Sequence, residues 1–146
     1  MTLSMPQYFI WEDTPVKLVA TPDGGVCAYA LDARTGGFEV RNDLIDQVLF
    51  NHDDPCIQVP EDRFIRETEA LREYYSLDRG AFEVDGAVRA LYETVHAIVE
   101  VGRDENRSLT SEERALIAGV RRRTFGMWVQ KLGPARGAGD HEDRGR

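Results

Sequence analysis

The chain has three histidines, His52, His96 and His141, so imidazole ligands for a metal are few. Glu93 and His96 form an ExxH pair, the spacing that di-iron helical bundles use twice to hold their metal ions. The sequence contains no second ExxH pair. A helical projection places His96 on the polar side of its helix, whereas the ligands of a bundle site must point inward. We therefore expect no metal site here, and the chain has no cofactor motif.

A second group of chemically capable residues lies in a predicted loop. His52, Asp53 and Asp54 resemble the His-Asp dyad of phosphohydrolases, but that chemistry needs further His and Asp ligands on other helices, and this chain has no histidines to spare. Cys56 lies four residues after His52, and a cysteine and a histidine can act together as nucleophile and base. Such dyads are set by the fold and not by spacing in the sequence. Asn, Asp and Pro residues are typical of turns, so a turn is the favoured interpretation. We assign no catalytic residue.

The strongest local anomaly is the run Arg121-Arg122-Arg123. Successive residues of a helix turn by about 100°, so the three side chains cannot share one face, and Arg122 is expected to point outward. Phe125 falls outside the predicted apolar stripe. Arginine and aromatic side chains dominate binding energy at interfaces. We therefore predict a partner-binding surface that combines this region with carboxylates of the acidic body, formed by Arg114, Arg121, Arg122, Phe125, Asp53 and Asp54.

A different interpretation of the arginine run stays open. Surface charge runs are usually solvated or paired within the molecule. In that case the arginines flanking the apolar stripe pair with the acidic body, and Phe125 packs under the C-terminal tail.

Charge is distributed unevenly along the 146 residues, whose net charge is −8. Residues 1–110 hold 10 basic and 21 acidic side chains, whereas residues 111–146 hold 8 basic and 5 acidic ones. An acidic body repels nucleic-acid phosphates and anionic membrane surfaces, and it attracts basic partners. The opening residues lack the basic and apolar runs of a signal peptide, and no apolar run is long enough to span a bilayer. We expect a cytoplasmic protein.

The N-terminal half predicts an antiparallel meander. Short runs of aromatic and β-branched residues over 8–12, 16–21, 26–31 and 38–41 are separated by turn residues, including the hairpin signal Asp23-Gly24. Asn42 is expected to cap a short helix over 43–50 that turns Leu44 and Val48 inward. A brief strand is predicted over 56–59.

Three longer helices follow, and their apolar stripes predict the core. The first covers 61–75 and starts after Pro60; the second covers 85–101, with Gly102 as its C-cap. Thr110 and Glu113 match a capping box that opens a helix ending near residue 131. The inward residues are predicted to be Phe64, Thr68, Leu71, Tyr75, Val88, Leu91, Tyr92, Val95, Ile98, Val99, Leu116, Ile117, Val120, Met127 and Trp128.

The predicted fold is one α+β domain over residues 1–132, in which the meander packs against a helical C-terminal half. Residues 133–146 are rich in glycine and have no large apolar side chain, which predicts a flexible tail. Several short segments, among them Tyr8-Phe9-Ile10, Asp23-Gly24-Gly25 and Thr35-Gly36, resemble the opening of small uncharacterised bacterial proteins. This resemblance implies a bacterial accessory protein and carries no activity.

Three function classes remain at this stage. The first is a non-enzymatic acidic protein-interaction domain, such as a bacterial inhibitor or immunity-type partner of a basic protein, because complementary charge speeds capture. The second is a DNA-associated regulator that uses the basic C-terminal helix, although the acidic body disfavours contact with nucleic acid. The third is a small enzyme whose site is assembled from scattered residues. The first is the preferred hypothesis.

Overall fold

The computed structural model describes residues 4–50 and 55–132. Four strands follow one another along the chain as the meander pattern predicts, and a fifth pairs with the first, so the antiparallel sheet has the order β4-β3-β2-β1-β5. The α+β class is thereby confirmed. The strands are β1 (Gln7–Trp11), β2 (Thr14–Ala20), β3 (Val26–Leu31), β4 (Phe38–Val40) and β5 (Cys56–Val59).

One face of the sheet is covered by a short helical segment. A 3₁₀ turn (Asn42–Leu44) leads into α1 (Ile45–Leu49), which buries Leu44 and Val48 as predicted. Side chains alternate between the two faces of a strand, so every second residue of β1, β2 and β3 meets this segment. The sheet residues of this core cluster are Phe9, Val16, Leu18, Ala28 and Ala30.

The opposite face of the sheet is covered by α2 (Glu61–Glu73), whose Phe64 is fully buried. Glu61 and Asp62 lie in its first turn, where the helix dipole favours negative charge. The helix ends in a π-helical turn over Tyr74–Asp78. Two longer helices complete the fold, α3 (Gly86–Asp104) and α4 (Ser111–Leu132), and α4 contacts both α2 and α3.

The capping box before α4 is confirmed. The backbone N–H of Glu113 donates to Oγ1 of Thr110 at 3.0 Å, and the backbone N–H of Thr110 donates to Oε1 of Glu113 at 2.9 Å. Arg107 also donates to the Glu113 carboxylate at 2.9 and 3.0 Å. These contacts lower the pKa of Glu113 to about 2, with the Arg107 hydrogen bonds as the largest cause.

Two predicted helix ends are wrong. The side chain of Asn42 caps no helix; its Oδ1 accepts the backbone N–H of Ala28 in β3 at 2.8 Å. Gly102 does not end α3 but lies inside it, buried, and a Cβ there would come within 3.2 Å of Leu109. Its missing side chain therefore serves close packing, and the left-handed residue after the helix is Asn106, with a φ of +55°.

The predicted core is right for α3 at Val88, Tyr92 and Val95, which are buried, whereas Leu91 and Ile98 keep partial exposure. Leu116 of α4 was expected in the core, but 54% of it is exposed. A helix between two neighbours buries side chains in two directions, so its apolar residues do not follow a single stripe. In α4 the fully buried position is Thr124, a residue that the stripe omits.

Candidate functional site

Five polar or amphipathic side chains form a buried polar cluster between α2, α3 and α4. Both carboxylate oxygens of Glu69 accept hydrogen bonds. Oε2 accepts one from Nη1 of Arg72 at 2.7 Å. Oε1 accepts one from the hydroxyl of Tyr92 at 2.9 Å and another from the hydroxyl of Thr124 at 2.6 Å. Nε1 of Trp128 donates to Oη of Tyr92 at 3.0 Å. Each of the five is at most 9% exposed. The cluster consists of Glu69, Arg72, Tyr92, Thr124 and Trp128.

Arg72 connects this cluster to the sheet. Its Nε donates to the carbonyl oxygen of Gly36, in the turn between β3 and β4, at 2.7 Å. Its guanidinium lies 4.2 Å from the ring centroid of Trp128 and 5.4 Å from that of Phe38, which places positive charge over two aromatic faces. Burial lowers the pKa of Arg72, and the charge and hydrogen bond of Glu69 oppose that shift. The opposite charge of each group offsets part of the cost of burying the other.

Two features of the sequence indicate this cluster beyond the apolar stripes of the helices. Arg72 follows Thr68 by four residues, so it lies on the inward side of α2, and Glu69 stands three residues before it. A buried Tyr or Trp usually needs a partner for its polar atom, so Tyr92 and Trp128 also indicate a buried acceptor. These groups are enclosed and bonded to one another, and they hold three helices together.

A second polar feature is an open cavity of about 170 Å³ between α2 and α4. We call it the arginine cavity. Arg121 is held at its inner side by Glu73, with Nη1 and Oε1 separated by 3.5 Å, and its side chain is only 13% exposed. Burial raises the pKa of Glu73, and the charge of Arg121 opposes that shift. The residues lining the cavity are Asp62, Ile65, Arg66, Ala118, Arg121 and Arg122.

A small cleft lies beside the cluster, where Lys17 of β2 faces Phe38, Arg72 and the last turn of α4. Its volume of about 10 Å³ has room for about one water molecule. Nζ of Lys17 lies 5.0 Å from the ring centroid of Phe38. Burial lowers the pKa of Lys17 to about 8, and the positive charge of Arg72 lowers it further, against the opposite effect of Glu61.

The structure brings together only part of the predicted partner surface. Arg121 and Arg122 line the same cavity. Arg114 lies eight residues before Arg122, about 12 Å away along the helix axis. There its Nη1 donates to the carbonyl oxygen of Leu109 at 2.6 Å. The ion pair of Arg121 with Glu73 agrees with the interpretation in which flanking arginines pair internally. Asp53 and Asp54 lie outside the described residues.

Phe125 does not lie outside the core, as its position on the helical projection suggested. Its ring packs against the core on the α2 side of the sheet, 6.2 Å from the ring of Phe64 in an edge-to-face arrangement. The guanidinium of Arg72 lies 5.6 Å from the same ring. The arginine beside Phe125 thus comes from α2 and not from the Arg121–Arg123 run, and the ring is a packing residue that keeps partial exposure.

The ExxH residues point outward, as predicted. Glu93 accepts Nε of Arg89 at 3.1 Å, and Nε2 of His96 lies 3.8 Å from Oε2 of Glu100 on the same exposed face. Within residues 4–50 and 55–132, the His, Cys, Asp and Glu side chains form no group of three that could hold a metal ion. Cys27 is buried, Cys56 is partly buried, and the two are not joined in a disulfide.

Comparisons of the chain with known proteins assign it to no family. No family model, no curated protein and no solved structure matches the chain. Across the part of the chain that the structure describes, none of the helices is long and apolar enough to cross a membrane. Any statement about function therefore depends on the surfaces and sites described above.

Proposed function

We propose that this chain is a non-enzymatic protein-interaction domain that captures a basic partner, as inhibitor and immunity-type proteins do. The observation that carries the proposal is the unbalanced charge of the sheet half. Residues 4–50 contain seven carboxylates and three basic side chains. Two of these basic side chains form ion pairs within the molecule. Nη2 of Arg34 lies 3.3 Å from Oδ2 of Asp32, and Nε of Arg41 lies 2.9 Å from Oδ1 of Asp43.

Five carboxylates of this half remain exposed beside those ion pairs, which supports an outward negative field. Two of them, Glu39 and Asp46, lie where α1 covers the sheet, together with Asp43 of the Arg41 ion pair. Glu39 of β4 stands opposite Ala30, on the side of the sheet that faces α1, and Asp43 and Asp46 follow in the 3₁₀ turn and α1. We call Glu39, Asp43 and Asp46 the α1 acidic surface. Such a surface accelerates the approach of a positively charged protein.

The enzyme hypothesis has less support. Within the buried polar cluster, Glu69 and Tyr92 have the types needed for acid-base chemistry, but they are buried and already bonded to each other. General acid-base catalysis needs a group within hydrogen-bond reach of a bound substrate.

The DNA-regulator hypothesis is also less supported, because α4 lies against both α2 and α3. A recognition helix must present a long free face to enter the major groove of DNA.

The test measures association kinetics with a basic protein obtained by affinity capture and then purified. A charge-reversed variant of the α1 acidic surface, Glu39→Lys with Asp46→Lys, is expected to slow association about tenfold at low salt, with a weaker salt dependence. The matched control reverses two exposed carboxylates near the ends of α3, Glu83→Lys with Asp104→Lys, which changes net charge equally. Equal slowing by both variants, or by neither, contradicts the proposal. Capture of acidic or neutral partners alone contradicts it as well.

A further inference from the structure

We propose that the arginine cavity binds the phosphate group of a small phosphorylated metabolite. The cavity brings together one guanidinium from α2, Arg66, and two from α4, Arg121 and Arg122. Arg66 is 55 positions from Arg121 and 56 from Arg122 in the sequence, so only the packing of α2 against α4 brings it near them.

The three guanidiniums differ in a way that suits a binding site. Arg66 and Arg122 are exposed, and no described side chain pairs with either of them within ion-pair distance. Arg121 is held by Glu73, yet its buried Nη1 makes no hydrogen bond to the described residues, because the 3.5 Å ion pair lacks hydrogen-bond geometry. The cavity thus combines one arginine that is already paired with a carboxylate and two that have no ion-pair partner among the described residues.

Charge and size favour a phosphate dianion. Three guanidiniums stand against the carboxylate of Asp62, which lines the cavity, and that of Glu73, which pairs with Arg121, so an excess of one positive charge remains. A phosphomonoester carries a charge of about −1.5 to −2 at neutral pH, and Arg binds phosphate through paired N–H donors. A volume of about 170 Å³ has room for a group of several non-hydrogen atoms. Ile65 and Ala118 supply apolar walls beside the arginines.

This site is independent of the proposed partner surface. The arginine cavity lies between α2 and α4, on the side of the sheet opposite α1 and its carboxylates. The molecule as a whole is negative, so positive potential at this position is local and is produced by the cavity residues themselves.

The experiment measures binding of inorganic phosphate and glycerol 3-phosphate to the full chain by calorimetry, at constant ionic strength, with sulfate and succinate as comparison anions. We expect saturable one-to-one binding of both phosphates. Arg66→Gln and Arg122→Gln should each weaken it about tenfold or more, because each removes charged hydrogen bonds to the ligand. The matched control is Arg123→Gln, an exposed arginine of the same run that does not line the cavity, and it should leave binding unchanged.

Three outcomes overturn the inference. One is the absence of saturable phosphate binding by the wild-type protein. Another is an equal effect of the Arg122 and Arg123 substitutions, which would indicate a general charge effect. The third is tighter binding of succinate than of either phosphate, which would assign the cavity to dicarboxylates. Circular dichroism and thermal melting of each variant confirm that it is folded, since Arg66 and Arg122 are exposed and hold no element in place.

Discussion

Thr124 of α4 donates its hydroxyl to Oε1 of Glu69 of α2 across 2.6 Å, inside the protein where both side chains are fully buried. The same carboxylate accepts hydrogen bonds from Tyr92 of α3 and from Arg72. Arg72 in turn donates to the carbonyl of Gly36 in the sheet. One ion pair therefore joins three helices and a sheet turn, and the stability of all four elements depends on it.

The substitution Glu69→Gln tests this dependence. It keeps the size of the side chain but leaves the buried charge of Arg72 uncompensated, so we expect the free energy of unfolding to fall by roughly 3–5 kcal/mol. The control is Glu67→Gln on the same helix, where the ion pair with Arg63 at 3.6 Å is partly exposed, and the expected loss is below about 1 kcal/mol. Urea denaturation measures both. Similar losses for the two variants would show that the buried pair has no special weight.

Gly36 is a second point on which the cluster depends. It has a φ of +82°, and a Cβ there would come within 2.5 Å of the Trp128 ring. Gly36→Ala therefore combines backbone strain with displacement of Trp128, whereas Gly24→Ala, at a φ of +88° with no atom within 4 Å, has the strain alone. We expect Gly36→Ala to cost roughly 1–3 kcal/mol more. Chemical denaturation followed by Trp fluorescence compares them, and equal losses would rule out the close contact.

Phe125 is expected to stabilise the fold. Because its ring packs against Phe64 and beside Arg72, Phe125→Ala should lower the free energy of unfolding by roughly 2–4 kcal/mol, somewhat less than for a fully buried Phe. Phe50→Ala provides the control, since that ring is 73% exposed and should change stability little. Thermal and urea unfolding give both values. A stable Phe125→Ala variant would return this residue to the surface role predicted from sequence.

Lys17 makes stability depend on pH in the alkaline range. Its pKa is about 8 in the folded protein and 10.5 in the unfolded chain, so between these values the unfolded state binds more protons. The free energy of unfolding should therefore rise with pH from about 8 to about 10.5, relative to Lys17→Met, which cannot titrate. The rise is of order 1–3 kcal/mol. Tyr8, whose pKa burial raises from 10.0 to about 12, affects stability only above about pH 10, and the comparison with Lys17→Met cancels this effect because both proteins keep Tyr8. Parallel stability curves for the two proteins would contradict the prediction.

The sequence determined what depends on neighbouring residues. Strands β1 to β4 follow from short runs of β-branched and aromatic residues between turns, and Asp23-Gly24 marks a hairpin because glycine accepts the positive φ. The capping box of Thr110 and Glu113 joins groups three residues apart, and it is present as predicted. The outward direction of His96 likewise follows from the period of one helix.

Only the tertiary structure decided which helices meet and in which directions each is buried. A single apolar stripe predicts Leu116 in the core and Phe125 on the surface, and both predictions are wrong. One stripe describes a helix with one neighbour, whereas α4 has two. Charged side chains usually lie at the surface, but Glu69 and Arg72 are buried as an ion pair that joins oppositely charged groups. The meeting of Arg66 with Arg122 has the same origin. Contacts between distant residues are set by the packing of whole elements, which no local period encodes.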